Sequence, residues 1–476
     1  MDIEGLRHLL EPYNPWLDRE KSAIWEEALP DYRRPIVGEI LADLKEIGQI
    51  ISITGPRRVG KTTALHHVIA TLIDEGVPSD RILYFSFDDP EVFGSQELQR
   101  VIFDRLVEYI TADLPKGNKA YLFLDEIQRL PRWELYLKKS YDLKLPIRFV
   151  VSGSASSPIF RKSQESLLGR IKDRHLLPFS FKEYCLYRFV DRREFSSILS
   201  NHQGVRNFLL NGDLKGVLET LQKAKSELKP FTDEINESVI TYCREGGFPE
   251  VWQLKDPVRK IEYLVEQQVR KVLYEDLMTL TTYRKPENVL RFLVYLLAHP
   301  GQEINMSAVA KELAVPRSII EENFPRLLVT DLIFRVKKFT HQPLKVRQGN
   351  VKCYPIDLAL RNAVLKTWDD FTNDPAMMGL YAENLVAINL NKWSEAIEIS
   401  YYREKKNEVD FIVTYGGDRF LPIEVKHRKE PGISLGLEHF MKKYKLKHGV
   451  LVTRERDLQV EGNVLYVPLL YFLLLI

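Results

Sequence analysis

The chain is poor in the features that mark secreted and membrane-spanning proteins. Its cysteines, Cys185, Cys243 and Cys353, are widely separated and odd in number, which excludes a disulfide framework and a zinc site. The apolar run at residues 464–476 is too short to span a bilayer and predicts a buried strand or helix. The N-terminal residues are neither basic nor apolar enough for a signal peptide. These absences predict a cytoplasmic protein with no membrane partner.

A large excess of charge of one sign is also missing. The formal net charge is +2, so there is no global basic field, and evidence for nucleic-acid binding must come from local patches. Hydrophobic content of 45% and charged content of 28% are ordinary for a folded protein. At 476 residues the chain is too long for one core, and a prior of about 150 residues per domain suggests roughly three domains.

The most informative stretch that is present is IISITGPRRVGKTT, at residues 50–63. It matches the phosphate-binding loop pattern G-x-x-x-x-G-K-[ST], with a buried strand before it and a helix of apolar periodicity after it. Backbone N–H groups of such a loop surround a phosphate chain at the positive end of the helix. The pattern predicts ATP binding by Gly55, Pro56, Arg57, Arg58, Val59, Gly60, Lys61, Thr62 and Thr63. Lys61 is expected at the β- and γ-phosphates, and Thr62 at a Mg²⁺ ion.

Two further strand ends carry polar residues that complete a hydrolytic site. YLFLDEIQ ends in adjacent carboxylates, of which Asp125 is expected at Mg²⁺ and Glu126 at the attacking water. An acidic turn is the alternative. Ser152 ends the next strand and is a candidate sensor of the γ-phosphate. Arg170 is a candidate arginine finger supplied to a neighbouring subunit, although an ordinary surface arginine is the alternative.

The order of strand and helix patterns predicts an α/β fold with a doubly wound parallel sheet. Strands are expected near residues 50–54, 81–87, 120–124 and 147–152. The expected domains are an N-terminal helical lead-in, the sheet-containing core, a helical lid, a winged helix-turn-helix and a second α/β domain, at residues 1–35, 36–180, 181–284, 285–360 and 375–476.

Taken together, GPRRVGKTT, LDEIQ, VSGSAS, LLGR followed by LPFSFKEY, and GGFPEVW resemble the archaeal and bacterial AAA+ ATPases with a C-terminal DUF4143 domain. The resemblance implies a P-loop AAA+ core, a lid, a winged helix and a restriction-endonuclease-like C-terminal domain. It also implies assembly into a homo-oligomeric ring and a role on DNA. No arginine of the lid can be assigned as a second sensor.

A second set of chemical residues lies near the C-terminus. EVDFIV and IEVK read as neighbouring antiparallel strands, and residues two apart share a face, so Asp410, Glu424 and Lys426 can converge. Glu383 lies on a preceding helix. The spacing D-x₁₃-E-x-K resembles the PD-(D/E)XK nuclease core, in which carboxylates hold Mg²⁺ and a non-ligand lysine stabilises charge. A solvated, salt-bridged hairpin is the alternative.

The predicted winged helix offers a possible DNA contact. Its third helix presents Arg317, Ser318, Asn323 and Arg326, and its wing presents Lys337, Lys338, Lys345 and Arg347. Pro325 is expected to interrupt that helix, and Glu321 and Glu322 would repel phosphates. A packing module is therefore the alternative. Further lysines flank Tyr444, at Lys442, Lys443, Lys445 and Lys447.

These patterns leave three functional hypotheses. The first is a ring-forming AAA+ ATPase that hydrolyses ATP to remodel or translocate DNA, branched or forked and with low sequence specificity. The second is an ATP-dependent, Mg²⁺-requiring nuclease that uses Asp410, Glu424 and Lys426. The third is a signalling or scaffold NTPase whose nuclease-like domain is not catalytic.

Overall fold

A computed structural model describes residues 3–92, 94–154, 167–202, 204–277, 286–341, 351–368, 371–393, 397–428, 432–454 and 457–476. The chain forms two compact units, an N-terminal unit within Met1–Leu177 and a C-terminal unit within Pro178–Met278 and Thr282–Ile476. None of the helices in the described ranges has both the length and the apolar character that crossing a membrane requires.

The N-terminal unit contains the predicted parallel sheet. Its strands are β1 (Ile50–Thr54), β2 (Ile82–Ser86), β3 (Ala120–Asp125), β4 (Ile147–Ser152) and β5 (Ile171–His175). All neighbouring strands are parallel, in the order β2-β3-β4-β1-β5. The described helices are α1 (Ile3–Leu10), α2 (Arg19–Glu27), α3 (Pro35–Glu46), α4 (Lys61–Asp74), α5 (Gln96–Thr111) and α6 (Trp133–Asp142).

Strand β5 was not predicted from the sequence. Its residues, IKDRH, contain no run of apolar side chains, and each is partly or fully exposed. The central strands β1, β3 and β4 are instead almost entirely buried, as expected for a parallel sheet covered on both faces. Because β4 lies between β1 and β3, the carboxyl ends of these three strands adjoin at one edge of the sheet.

The N-terminal lead-in packs on the sheet of the same unit. Leu6, Leu9 and Leu10 are buried in the core that contains β2 and β3. Two 3₁₀ turns, Glu11–Tyr13 and Pro15–Leu17, follow α1 and run beside β2, the edge strand. The indole Nε1 of Trp16 donates to the carbonyl oxygen of Ile82 at 3.0 Å. The lead-in thus covers an edge that would otherwise expose unpaired backbone groups.

The C-terminal unit begins with helices, as predicted. They are Phe181–Arg188, Arg193–Asn201, Val205–Asn211, Leu214–Glu227, Thr232–Glu245, Pro249–Trp252 and Pro257–Tyr263, followed by π-helical turns at Leu264–Arg270 and Val272–Leu277. Later helices are Pro286–Ala298, Met306–Leu313, Arg317–Val329, Leu358–Leu365, Pro375–Asn391, Leu435–Lys443 and Leu469–Leu475. Residues 464–476 therefore form a buried strand and helix, as predicted.

An eight-stranded mixed sheet organises the same unit. Its strands are β6 (Ile333–Lys338), β7 (Val351–Pro355), β8 (Ile397–Glu404), β9 (Asn407–Tyr415), β10 (Arg419–Lys426), β11 (Gly449–Thr453), β12 (Gln459–Glu461) and β13 (Val464–Pro468). Their order is β12-β13-β11-β10-β9-β8-β6-β7. One hydrophobic core combines side chains from the early helices, from β6 and β7, and from the C-terminal strands.

The segment predicted as a winged helix has the expected element order, with three helices followed by the antiparallel hairpin β6-β7. The hairpin is not separate, because β6 also pairs with β8 and extends the C-terminal sheet. The predicted interruption at Pro325 is wrong, since Arg317–Val329 continues through it. Packing of Ile320, Phe324 and Leu327 in the interior outweighs the local penalty of proline.

One of the predicted DNA contacts in this segment is buried, and two others are not described. Asn323 is buried and donates to the carbonyl oxygen of Ile319, so it does not face a groove. Lys345 and Arg347 lie outside the described residues.

Candidate active site

The phosphate-binding loop joins β1 to α4, as its sequence pattern predicts. Gly55 has φ = 144°, and a Cβ atom at this position would lie 2.1 Å from the carbonyl oxygen of Leu176. Gly60 is in the left-handed region at the start of α4, with φ = 91°. Both glycines are therefore required by the backbone path. The result is a narrow loop at a helix N-terminus, which suits a phosphate chain.

Lys61 lies inside this loop. Its side chain is buried, and its ammonium group donates to the carbonyl oxygens of Gly55 at 3.1 Å and Pro56 at 2.7 Å. A cation held against its own loop is close to the place where phosphate oxygens are expected.

Arg34 supports the loop from outside and was missed as a site residue. It is buried, and its guanidinium donates to the carbonyl oxygens of Val59 and Leu177, each at 3.0 Å. One side chain thus ties the loop to the chain that leaves β5. Nothing in a single sequence separates this arginine from Arg33, which is exposed on its side chain and hydrogen-bonded to Thr71.

Asp125 is the centre of a hydrogen-bond group at the sheet edge. Its Oδ2 accepts from the Thr62 hydroxyl at 2.6 Å and from the Tyr84 hydroxyl at 2.8 Å. Its Oδ1 accepts from the Ser152 hydroxyl and from the backbone N–H of Glu126 at 3.0 Å. The predicted residues Thr62, Asp125 and Ser152 therefore meet, and Tyr84 is an addition that the strand pattern hid as an ordinary core aromatic.

Glu126 follows Asp125 in a left-handed conformation, with φ = 49°, which is uncommon for a residue with a side chain. Its carboxylate accepts a hydrogen bond from the Gln128 amide. Burial raises the pKa of Glu126, the Asp125 charge raises it further, and the Lys61 charge opposes both. A strained backbone and a carboxylate of raised basicity are features that cluster at functional sites.

Arg170 lies at the opposite end of the sheet from its own loop. Its carbonyl oxygen accepts from the N–H of Ile50, the first residue of β1, whereas the loop follows the last residue of that strand. A strand of this length spans roughly 16 Å. The guanidinium pairs with Asp142 at 2.8 Å. Arg170 can therefore serve as an arginine finger only for another subunit.

The residues fit a nucleotide with Mg²⁺. A hydroxyl and a carboxylate oxygen are ligands that Mg²⁺ accepts, and Thr62 and Asp125 bring one of each together. The loop is closed to any Cβ at Gly55 and open at Gly60, where a Cβ would meet nothing within 4 Å.

The second predicted site lies in the C-terminal unit, where Asp410, Glu424, Lys426 and Glu383 come together. Asp410 accepts from the backbone N–H of Val425 at 2.8 Å, next to Glu424 on β10. The Lys426 ammonium lies 2.8 Å from Glu424 Oε1. Glu383 accepts from the Tyr354 hydroxyl at 2.8 Å. The antiparallel pairing of β9 with β10 thus brings these side chains to one place, as predicted.

A second lysine, Lys352 of β7, also enters this group and was not predicted. Its side chain is buried, its ammonium lies 2.8 Å from Glu408, and its charge acts on Glu383 and Asp410. Burial and the Asp410 charge raise the pKa of both Glu383 and Glu424 to about 7, while the lysines oppose the shift. Burial raises the pKa of Asp410 as well.

The assignment of Mg²⁺ to these carboxylates stays a prediction. Within the described ranges, no three His, Cys, Asp or Glu side chains are arranged to hold a metal ion. Lys426 pairs with Glu424 Oε1, Tyr354 donates to Glu383 and the Val425 amide donates to Asp410, while Glu424 Oε2 is buried without a hydrogen-bond partner. The alternation rule places side chains on a face but does not aim their oxygens at a common point.

Comparison with known families assigns both ends of the chain. The family described as "AAA domain" matches residues 48–185, which contain the loop, Asp125, Glu126 and Ser152. The chain carries an AAA ATPase domain and a C-terminal DUF4143 domain. DUF4143, a domain of unknown function, matches residues 378–472. Another domain of unknown function, DUF8612, matches residues 236–370, between the AAA and DUF4143 matches. The resemblance seen in the sequence is thus confirmed, and the AAA domain supports a nucleotide-binding ATPase.

Three similar proteins match most of this chain. The uncharacterized protein MJ1637 of Methanocaldococcus jannaschii is 26% identical over 90% of this chain and 85% of its own. MJ1544 of the same organism is 26% identical over 76% of this chain and 71% of its own. An uncharacterized protein of Haemophilus influenzae is 23% identical over 81% of this chain and 84% of its own.

Among solved structures, the chain is similar to PCH-2 of C. elegans, with a TM-score of 0.25 and 18% identity, over 38% of this chain and 50% of that one. It is also similar to a replication initiator, DnaA, bound to AMPPCP and single-stranded DNA, with a TM-score of 0.24 and 17% identity. That match covers 62% of this chain and 89% of the DnaA chain.

Proposed function

We propose that this protein hydrolyses ATP, with Mg²⁺, at the loop of the N-terminal unit and uses the energy to remodel or translocate DNA. The observation that carries the hydrolytic part is the meeting of Thr62 and Ser152 on the two oxygens of Asp125, directly before the base candidate Glu126. A loop that only bound a nucleotide would not need the carboxylate of Glu126.

In this proposal the loop and Lys61 bind the triphosphate. Lys61 exchanges its contacts with the carbonyl oxygens of Gly55 and Pro56 for phosphate oxygens. Thr62 and Asp125 would hold Mg²⁺, which when bound neutralises negative charge on the phosphates. Ser152, which contacts Asp125, lies where a hydroxyl can sense the γ-phosphate.

Glu126 orients and deprotonates the attacking water. The basicity of a carboxylate near neutral pH decides how well it accepts a proton, and burial moves the pKa of Glu126 in that direction. Its bond from Gln128 holds it while no nucleotide is present. Gln128 must release the carboxylate for it to act.

Two substitutions separate binding from hydrolysis. Lys61→Ala is expected to lose ATP binding, whereas Glu126→Gln is expected to bind ATP normally and to hydrolyse it about 100-fold or more slowly, as for loss of a general base. Binding is measured with a fluorescent ATP analogue, and hydrolysis by single-turnover release of labelled phosphate. Equal turnover in both variants and wild type would refute the proposal. Glu134→Gln, in the first turn of α6, is the matched control.

We propose further that the active site is completed by Arg170 of a neighbouring copy in a ring. Its distance from its own loop leaves no role in the same chain, and surface ion pairs such as that with Asp142 are weak enough to exchange. Mixing inactive Arg170→Ala with inactive Lys61→Ala protein should restore ATPase activity, because some interfaces then hold an intact loop and an intact arginine. Mixtures as inactive as the separate variants would exclude the shared site.

For DNA, the support is a lysine surface on the C-terminal unit, formed by Lys405, Lys406, Lys442, Lys445 and Lys447. All five are exposed. Lys443 and His439 pair with Glu404 at 2.6 and 3.2 Å, which holds the β8-β9 turn against the end of helix Leu435–Lys443. Lysines of two elements therefore converge on one surface, which suits a phosphate backbone without sequence readout.

DNA binding is tested by mobility shift on linear, forked and four-way DNA at low salt, with and without a non-hydrolysable nucleotide. The double variant Lys442→Gln/Lys445→Gln should lose about tenfold in affinity at low salt and flatten the salt dependence by about two contacts. Lys215→Gln/Lys223→Gln is the control, since these exposed lysines pair with Glu219 and Glu227 within one helix. The proposal of DNA binding would be refuted if no DNA were shifted, or if both double variants lost the same affinity for DNA.

A further inference from the structure

Tyr84 is a polar group of the active site that the reaction scheme above does not use. It is on β2 and 4% exposed. Its hydroxyl donates to Oδ2 of Asp125 at 2.8 Å, the same oxygen that Thr62 contacts at 2.6 Å. A tyrosine hydroxyl is protonated at neutral pH and therefore acts as a donor to this carboxylate.

The backbone of Tyr84 is held by one side chain of the lead-in. The Asn14 amide donates to the carbonyl oxygen of Tyr84 at 2.9 Å and accepts from its N–H at 2.8 Å. Its amide nitrogen also donates to the carbonyl oxygen of Leu10 at 2.8 Å. Asn14 is 2% exposed and thus replaces a neighbouring strand at Tyr84, the residue of β2 whose hydroxyl contacts the Asp125 carboxylate.

The Tyr84 ring is fixed as well. His66, one turn after Thr62 on α4, lies edge-on to it with ring centroids 5.0 Å apart. Tyr13 packs on it at 6.1 Å. Trp25 of α2 in turn packs on His66 at 5.8 Å. Three elements, two of them in the lead-in, therefore set the position of one hydroxyl.

We infer that Tyr84 is a positioning residue that holds Asp125 in its Mg²⁺-accepting orientation, and that Asn14 makes the N-terminal lead-in part of the ATPase site. The inference rests on the proposed hydrolytic function. A carboxylate has about four acceptor positions, and Asp125 fills them with Thr62, Tyr84, Ser152 and the Glu126 amide.

Tyr84 would matter when the Thr62 hydroxyl oxygen holds a cation. Tyr84 donates to the same oxygen of Asp125 from another strand, so it would keep that oxygen in place however the Thr62 hydroxyl reorients. Hydrogen bonds to charged groups are stronger than neutral ones, so removing this donor should matter for Mg²⁺ and not for the nucleotide alone.

The experiment compares Tyr84→Phe with wild type in the full chain. Affinity for a fluorescent ADP analogue is measured in EDTA and across a Mg²⁺ titration, and kcat for ATP is measured alongside. Tyr84→Phe should keep its EDTA affinity within twofold, need about tenfold more Mg²⁺ for half-saturation, and lose about tenfold in kcat. Tyr136→Phe, on α6 and packed against Phe103 at 5.2 Å, is the control and should match wild type.

Asn14→Ala is the second variant and leaves the Asp125 contacts intact. It should raise the Mg²⁺ concentration needed for half-saturation by less than Tyr84→Phe does. The affinity for the ADP analogue in EDTA should not change. Unchanged Mg²⁺ dependence in both variants, or a lower melting temperature with no Mg²⁺ effect, would overturn the inference. If wild type itself shows no Mg²⁺-dependent nucleotide binding, the proposed function fails instead, so the two failures are distinguishable.

Discussion

The two carboxylate groups of this chain differ in what compensates their negative charge. In the N-terminal unit, Asp125 is surrounded by hydroxyl and amide donors, and Lys61 donates to backbone carbonyls of the loop. In the C-terminal unit, Glu424 pairs with Lys426, and Lys352 acts on Glu383 and Asp410. The first group has neutral donors that can reorient, whereas the second contains lysines that only partly offset the rise in pKa of Glu383 and Glu424 to about 7.

This difference separates a site whose donors are neutral from a group that already contains cations. A hydroxyl oxygen can take a cation at little electrostatic cost, as proposed for Thr62. Removing a buried lysine from carboxylates leaves uncompensated charge, which is costly. The residues and spacing at Asp410 match the predicted pattern, and the nuclease hypothesis stays a prediction.

The largest effect is expected when an aspartate is replaced by asparagine in each of the two carboxylate groups. Asp125→Asn should lower ATP turnover about 100-fold or more, because it removes charge that acts directly at the phosphates. Asp410→Asn, the same chemical change in the C-terminal unit, should leave turnover within twofold. The measurement is steady-state ATPase activity without DNA. A large loss in Asp410→Asn would show that the second group takes part in hydrolysis.

A medium effect concerns stability against pH. The pKa of Glu424 is raised by burial from 4.5 to about 7, so its contribution to the free energy of unfolding is complete below pH 4.5 and is lost as pH rises through 7. The full span is at most about 3 kcal/mol. Glu424→Gln should therefore flatten the fall in melting temperature between pH 5 and 8.

The control for this prediction is Glu404→Gln. Bonds from Lys443, Tyr402 and His439 lower the pKa of Glu404 to about 2, so this group is ionised in the folded chain throughout the same window. Its replacement should leave the change of melting temperature between pH 5 and 8 as it is in wild type. Equal slopes of melting temperature against pH for wild type and Glu424→Gln would show that burial does not raise the pKa of Glu424.

The smallest effect is expected at the helix predicted to read DNA. Arg317 and Arg326 already pair with Glu321 and Glu322, at 2.8 and 3.0 Å. Arg317→Ala and Arg326→Ala should each weaken DNA binding less than threefold, in contrast to the lysine surface. A tenfold loss in a mobility shift would move the DNA contact to this helix.

The sequence was sufficient where backbone geometry or periodicity dictates the structure. The loop from Gly55 to Thr62 and the buried strands are the clearest cases, because glycine conformations and apolar runs are local properties. Strand β5 escaped because a half-exposed strand has no apolar run.

Residues that act through distant contacts could not be found in this way. Tyr84 looks like any core aromatic until the lead-in and β3 are folded around it, and Lys352 approaches the carboxylates only because β7 belongs to the eight-stranded sheet. Spacing correctly gathered Asp410, Glu424 and Lys426, but spacing does not say whether carboxylate oxygens point at a metal or at a lysine.

The most direct test of the contrast is to count protein-bound Mn²⁺ as a substitute for Mg²⁺, by electron paramagnetic resonance on the full chain. The account predicts one Mn²⁺ per chain that appears only with a non-hydrolysable ATP analogue, is lost in Asp125→Asn and persists in Asp410→Asn. Mn²⁺ bound without nucleotide and lost in Asp410→Asn would contradict it.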